Sequence, residues 1–159
     1  MAAVMPGTMT DACQVRRATV ADLDKLAPLF DGYRVFYKQE SDTAACEAFL
    51  RARLEASEAV LFLASTVGGD AVGLCQLYPL FSSVRLARAW LLNDLFVAHA
   101  GRRAGVGGAL MKAAEAFARG DGATQILLET AENNTAAQAL YESRGWEQEA
   151  GERHYVLSL

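Results

Sequence analysis

The chain has 159 residues, a formal net charge of −4 and an apolar share of 52%. That length suits one domain with a real core. The mild acidity gives no global attraction to nucleic acid or an anionic membrane, and no apolar run reaches the roughly 20 residues that span a bilayer.

The opening "MAAVMPGTMTDA" has neither a basic start nor a long apolar stretch. It reads as a flexible tail over residues 1–12 rather than a signal peptide, with one domain expected over 13–159. "CQVRRAT" suits a first strand, and Thr19 then caps a helix whose Leu23, Leu26, Leu29 and Phe30 recur at helical spacing. "SDTAACEAFLRARLEAS" predicts a second helix, capped by Ser41 or Asp42, with Phe49, Leu50 and Leu54 as its apolar face. "AVLFLAST" is a continuous apolar strand, "VGGD" a hairpin turn, and "AVGLCQLYPL" the returning strand. The loop "FSSVRLAR" leads to "AWLLNDLFV", residues 89–97, apolar on both faces and so central and covered on both sides. A helix from about Gly105 to Arg119 turns Val106, Leu110, Ala113 and Phe117 inward. "DGATQILLET" then gives a turn and strand, "NTAAQALYESRG" a helix stopped by Gly145, and "WEQEAGERHYVLSL" a closing hairpin. Antiparallel hairpins and a βαβ unit in one chain predict a mixed α/β domain, a central mixed sheet flanked by helices.

Cys13, Cys46 and Cys75 are far apart, and His99 and His154 have no metal-ligand spacing. This argues against a disulfide framework, a nucleophilic cysteine with its base, and a metal site. Unpaired cysteines fit a reducing compartment, so a cytoplasmic protein is expected.

The stretch "VAHAGRRAGVGG" joins the central strand to the alanine-rich helix. Glycines at 105, 107 and 108 let a ligand approach the main chain, and a helix start offers orphan N–H groups and the positive end of its dipole. Arg102 and Arg103 add charge, which together makes a place for phosphate or diphosphate. A tight turn with glycines kept for helix packing is the plainer alternative. A Walker A loop fails for want of a lysine in register. A dinucleotide fingerprint fits Gly105 and Gly107 but meets Leu110 at the third glycine, although Glu129 stands at about the right distance for its acidic partner.

Arg102, Gly105 and Gly107 fit the pattern Arg-x-x-Gly-x-Gly, and here the chain resembles the GNAT superfamily of acyl-CoA-dependent N-acetyltransferases. A second stretch, "NNTAAQALYESRGW", resembles that family's motif Asn-x-x-Ala-x-x-Leu-Tyr-x-x-x-Gly-aromatic through Asn134, Ala137, Leu140, Tyr141, Gly145 and Trp146. "LNDLFV" and "HYVLSL" are most similar to diamine and protein acetyltransferases, although diamine enzymes carry a Glu where this chain has Asn93.

The resemblance implies a GNAT-like fold, acetyl-CoA as co-substrate without a metal, and direct transfer to a primary amine in a ternary complex. It implies a homodimer, as relatives commonly are. It places the pantetheine arm along Leu95, Phe96 and Val97 and the diphosphate on Arg102, Arg103, Ala104, Gly105, Val106, Gly107 and Gly108. Asn134, Ala137 and Tyr141 share one helix face toward the cofactor, and Tyr141 is the expected acid for the thiolate. The plainer alternatives are an amphipathic-helix tyrosine with its ring in the core for Tyr141, and a helix cap for Asn134. Asp94, inside an apolar strand, is the candidate base, directly or through water; a structural carboxylate is the alternative, and Glu129 a weaker candidate. Tyr33, Tyr37, Glu40, Tyr78 and Phe81 are candidates to hold the amine by π contact and charge, against simple aromatic packing. The acceptor is expected to be a small molecule. A lysine or N-terminal protein acetylase and a non-catalytic CoA-binding regulatory module remain as rivals.

Overall fold

The computed structural model describes residues 8–9, 13–151 and 153–159. The chain divides into two compact units, Met1–Glu129 and Thr130–Leu159. In the first, β1 (Thr8–Met9) and β2 (Gln14–Arg17) lead through a 3-10 turn (Val20–Asp22) into α1 (Leu23–Phe36) and α2 (Thr43–Glu55). Then come β3 (Val60–Ser65), β4 (Ala71–Ser82) and β5 (Ala87–Val97), a second 3-10 turn (His99–Gly101), α3 (Val106–Gly120) and β6 (Gln125–Leu127). The strands form one sheet in the order β1-β2-β3-β4-β5-β6, antiparallel throughout except for the parallel β5–β6 pair. The mixed α/β architecture is the one expected. Of the expected tail, Thr8–Met9 pair with β2, while residues 1–7 and 10–12 lie outside the described residues.

The first corner follows its sequence closely. Thr19 accepts from the amide of Ala21, and Asp22 accepts from the amide of Thr19, a reciprocal cap that starts the helical path. Leu23, Leu26, Leu29 and Phe30 are buried as their spacing predicts. They join Leu50, Leu61, Leu63 and Leu74 in one apolar cluster, so α1 and α2 cover one face of the sheet. Each such leucine contributes roughly 2 kcal/mol from burial. Asp42, not Ser41, caps α2 by accepting from Ala45. Ser41 instead donates to Asp31 of α1 at 2.6 Å, and the amide of Asp42 does so at 2.7 Å, tying the two helices together. Phe49, expected on the apolar face of α2, is exposed; its ring stacks on Phe30 and carries Arg53 on its surface.

The opposite face belongs to α3. Phe117 meets Phe62 of β3 and Trp90 of β5. A Cβ on Gly73 of β4 would lie 3.1 Å from both Val106 and Leu110, so glycine there lets the start of α3 press onto the sheet. The loop expected over residues 81–88 is shorter in the structure, because β4 runs to Ser82 and β5 begins at Ala87.

In the second unit, Asn134 caps α4 (Thr135–Ser143), accepting from Ala137 at 3.3 Å, and Gly145 ends it at φ 83°. The expected closing hairpin is not formed: no strand occurs among the described residues after α4. A strand needs a ladder partner, and Glu147, Glu149 and Gly151 are poor strand formers.

Candidate active site

The β4–β5 ladder pairs Gln76 with Asp94 but Leu77 with Leu92, leaving Asn93 as an extra residue on β5. This bulge decides which way the following side chains point. Trp90 lies on the α3 face against Phe117, whereas Phe96, six residues on by number, lies on the α1 face against Tyr33. In a regular strand two residues an even number apart share a face. The inserted residue reverses that parity and turns Asp94 toward α1.

Asp94 is 4% exposed and surrounded by neutral hydrogen-bond donors. Gln76 Nε2 donates to its Oδ2 at 2.7 Å, Asn93 Nδ2 donates to both oxygens at 3.1 Å, and Tyr33 bonds it from α1. Burial raises its pKa above the ordinary carboxylate value, and the bonds from Asn93, Gln76 and Tyr33 partly offset that. The same burial, reinforced by the Asp94 charge, raises the phenol of Tyr33 and pushes that of Tyr78 up to about 12. Both phenols stay protonated at neutral pH and serve as donors. Cys75, buried on the α3 face of β4, is likewise raised by burial and by the Asp94 charge and stays a thiol, so it offers no nucleophile.

Tyr37 extends this aromatic group outward, its ring centroid 5.0 Å from that of Tyr33. Thus Tyr33, Tyr37, Tyr78 and Asp94 come together. Glu40 is exposed beyond the end of α1, where its backbone carbonyl accepts from Arg34. Phe81 does not join the group. It is 73% exposed under Arg88, which also covers Trp90 on the α3 side. The two-residue period of β4 puts Phe81 on the face opposite Gln76 and Tyr78.

The parallel β5–β6 ladder stops at Leu91–Leu127, and residues 92–97 of β5, including Leu95, Phe96 and Val97, run on past it. At the end of that strand Arg102 Nε donates to the carbonyl of Val97 at 3.3 Å. Arg103 adopts φ 62°, a left-handed backbone that non-glycine residues rarely take, and Gly105 sits at φ 74° as the N-cap of α3. No side chain caps this helix. Its first intrahelical bond is Ala109 N to Gly105 O, so the amides of Val106, Gly107 and Gly108 precede any helical acceptor. With Ala104, Arg102 and Arg103 exposed beside them, these amides form an anion cradle of the kind a diphosphate fits.

Comparison with known proteins identifies the family of this chain. The family model described as Acetyltransferase (GNAT) family matches residues 24–146. The chain belongs to the GNAT acetyltransferase family. An uncharacterized N-acetyltransferase, YhfO, of Bacillus subtilis (strain 168) is 45% identical over 145 residues, covering 91% of this chain and 97% of that protein. An aminoglycoside N(6')-acetyltransferase type 1 of Klebsiella aerogenes is 32% identical, covering 76% and 80% of the two chains. A crystal structure of a probable acetyltransferase matches with a TM-score of 0.86 at 40% identity, over 91% of this chain and 97% of its own. This chain is accordingly an N-acetyltransferase.

In the second unit of this GNAT enzyme, Tyr141 is half-buried on α4, its ring 6.2 Å from that of Trp146, and Ala137 lies one turn earlier. Asn134 spends its side-chain oxygen on the cap of α4, the plainer of its two expected uses. Glu129 is exposed just after β6, His99 is exposed in the turn after β5, and His154 lies in the irregular C-terminal stretch. No group of His, Cys, Asp and Glu suited to a metal occurs among the described residues. Sequence reading missed Gln76, Arg103's backbone and the bulge at Asn93. Only the register of two strands distant in sequence exposes the first and last of these.

Proposed function

We propose that this GNAT enzyme uses acetyl-CoA to acetylate a primary amine of a small molecule, by direct transfer in a ternary complex, with residues 13–159 acting as one functional domain. The observation that carries the reading is the uncapped, glycine-turned start of α3 at the end of the strand that holds Asp94. When bound, acetyl-CoA supplies an activated acetyl thioester. The amides of Val106, Gly107 and Gly108, with Arg102 and Arg103, hold its diphosphate. The half-buried stretch Leu95, Phe96 and Val97, roughly 10 Å of strand beyond the bulge, holds the arm.

Asp94 takes a proton from the acceptor ammonium, and the neutral groups that bond it leave its charge uncompensated and able to attract a cation. A carboxylate whose pKa is raised by burial is better matched to this task than an ordinary one. Tyr33, Tyr37 and Tyr78 line the approach with π faces and phenolic donors. Tyr141 donates its proton to the leaving sulfur, as the family motif on α4 implies. The name of the Klebsiella aerogenes relative, an aminoglycoside acetyltransferase, supports a small-molecule amine over a protein substrate.

The test is free-thiol release from acetyl-CoA with a panel of polyamines, aminoglycosides, amino acids and lysine peptides. Turnover with small amines and none with peptides is expected. Peptide turnover alone would reverse the substrate class, and CoA binding without thiol release from any amine would leave a binding module.

A further inference from the structure

Gln76 stands in the middle of β4 at 0% exposure, the one fully buried uncharged polar side chain among the described residues of the core. Its Nε2 makes two hydrogen bonds, each 2.7 Å, to Oδ2 of Asp94 and to the phenolic oxygen of Tyr78. Its Oε1 is buried without a hydrogen-bond partner. Such an orphaned acceptor costs about 1–3 kcal/mol. Methionine would fill the volume without that cost, so packing does not account for glutamine here. What glutamine supplies is the donor pair.

We infer that Gln76 is a positioning residue of the transfer reaction: its single amide nitrogen fixes Asp94 Oδ2 and the Tyr78 oxygen relative to each other, and holds Asp94 ionised and oriented toward the acceptor amine. This rests on the reading of Asp94 as the base. Because Tyr78 accepts from Gln76, its own O–H is left to donate elsewhere, so the same contact aims a phenolic donor. The groups facing Asp94 are Tyr33 with Tyr37 beyond it from α1, Gln76 and Tyr78 from β4, and Asn93 on its own strand, while Cys75 of β4 lies on the opposite face of the sheet and feels only its charge. Arg53 of α2 acts on Tyr78. None of the groups that bond Asp94 is cationic, so loss of a neutral donor is felt directly.

Two readouts test this on the full chain. The first is the carboxyl 13C titration of Asp94 without ligand, in wild type, Gln76→Met and Gln76→Glu. The second is the pH profile of kcat/KM for the same variants and for Asp94→Asn. With the amide donor gone, Asp94 should hold its proton to higher pH, moving both its titration and the acidic limb of the profile upward. The shift should be larger in Gln76→Glu, where two carboxylates compete for one proton. The fall should appear in kcat more than in KM. Gln76→Glu keeps the side-chain shape and serves if the methionine variant does not fold. An Asp94 titration and acidic limb unmoved in the folded Gln76 variants, while Asp94→Asn abolishes that limb, overturns the role of Gln76 and leaves the base in place. An acidic limb that persists in Asp94→Asn overturns the base reading, and the positioning role with it.

Discussion

Two strand-to-helix corners of this protein solve the same backbone problem in opposite ways. Where β2 turns into α1, side chains close the corner: Thr19 and Asp22 cap the amides, and Arg16 pairs with Asp22, Nη1 to Oδ2 at 2.9 Å. Where β5 turns into α3, no side chain caps the helix, a glycine takes the left-handed N-cap and an arginine accepts a left-handed backbone. Each corner also has a hidden carboxylate. Asp22 is 8% exposed and Asp94 4%. The guanidinium of Arg16 holds Asp22 down at about 2, whereas burial among neutral donors raises Asp94. A corner that satisfies itself is structural. The other leaves its helix-start amides without a side-chain cap and its carboxylate without a cation, which is what the proposed function uses.

The sharpest way to break this contrast is the same substitution at both carboxylates. Asp94→Asn should lower kcat/KM by about 10²- to 10⁴-fold, the range for loss of a general base, measured by thiol release. It should not lower Tm at neutral pH. A group whose folded pKa is raised gives its stability below the unfolded value and loses it as pH rises through the folded value, so at pH 7 the buried charge is a burden that Asn lifts. A collapse in Tm with activity retained would make Asp94 the structural carboxylate of the pair.

Tyr141→Phe should lower kcat by about 10²-fold while acetyl-CoA affinity, read by calorimetry, stays near wild type. Unchanged kcat removes the phenol as the acid, provided product release is shown not to limit the wild type. At the open corner, Gly105→Val forces a β-branched residue into φ 74°, a strain of about 1–3 kcal/mol. In protein that stays folded by circular dichroism, acetyl-CoA should bind at least about tenfold more weakly as the amides lose their geometry. Wild-type affinity would mean that the cradle is not at this corner.

The smallest effect belongs to the closed corner. Asp22→Asn should cost about 1–2 kcal/mol of folding stability and leave kcat/KM unchanged. Its pH dependence has a definite sign. The depressed pKa of Asp22 contributes stability above its unfolded value near 4, and that contribution drains away as pH falls toward about 2. Denaturant midpoints between pH 5 and pH 2 should therefore fall less steeply in Asp22→Asn than in wild type; parallel curves would mean that the Arg16 pair adds nothing.

Much of this was legible in the chain itself. Helical spacing in Leu23, Leu26, Leu29 and Phe30, the caps at Thr19 and Asn134, and the glycine-rich run after Val97 are local signals, because they depend on residues within one or two turns. Those signals determined the mixed α/β class, the approximate helix boundaries and the glycine-turned start of α3. Composition determined that no covalent cysteine or metal chemistry was expected. The face on which Asp94 lies, its partnership with Gln76 eighteen positions away, the exclusion of Phe81 from the aromatic group and the early end of the β5–β6 ladder belong to the tertiary structure alone. They are set by cross-strand register, and one inserted residue, Asn93, shifts that register in a way no periodicity within β5 reveals.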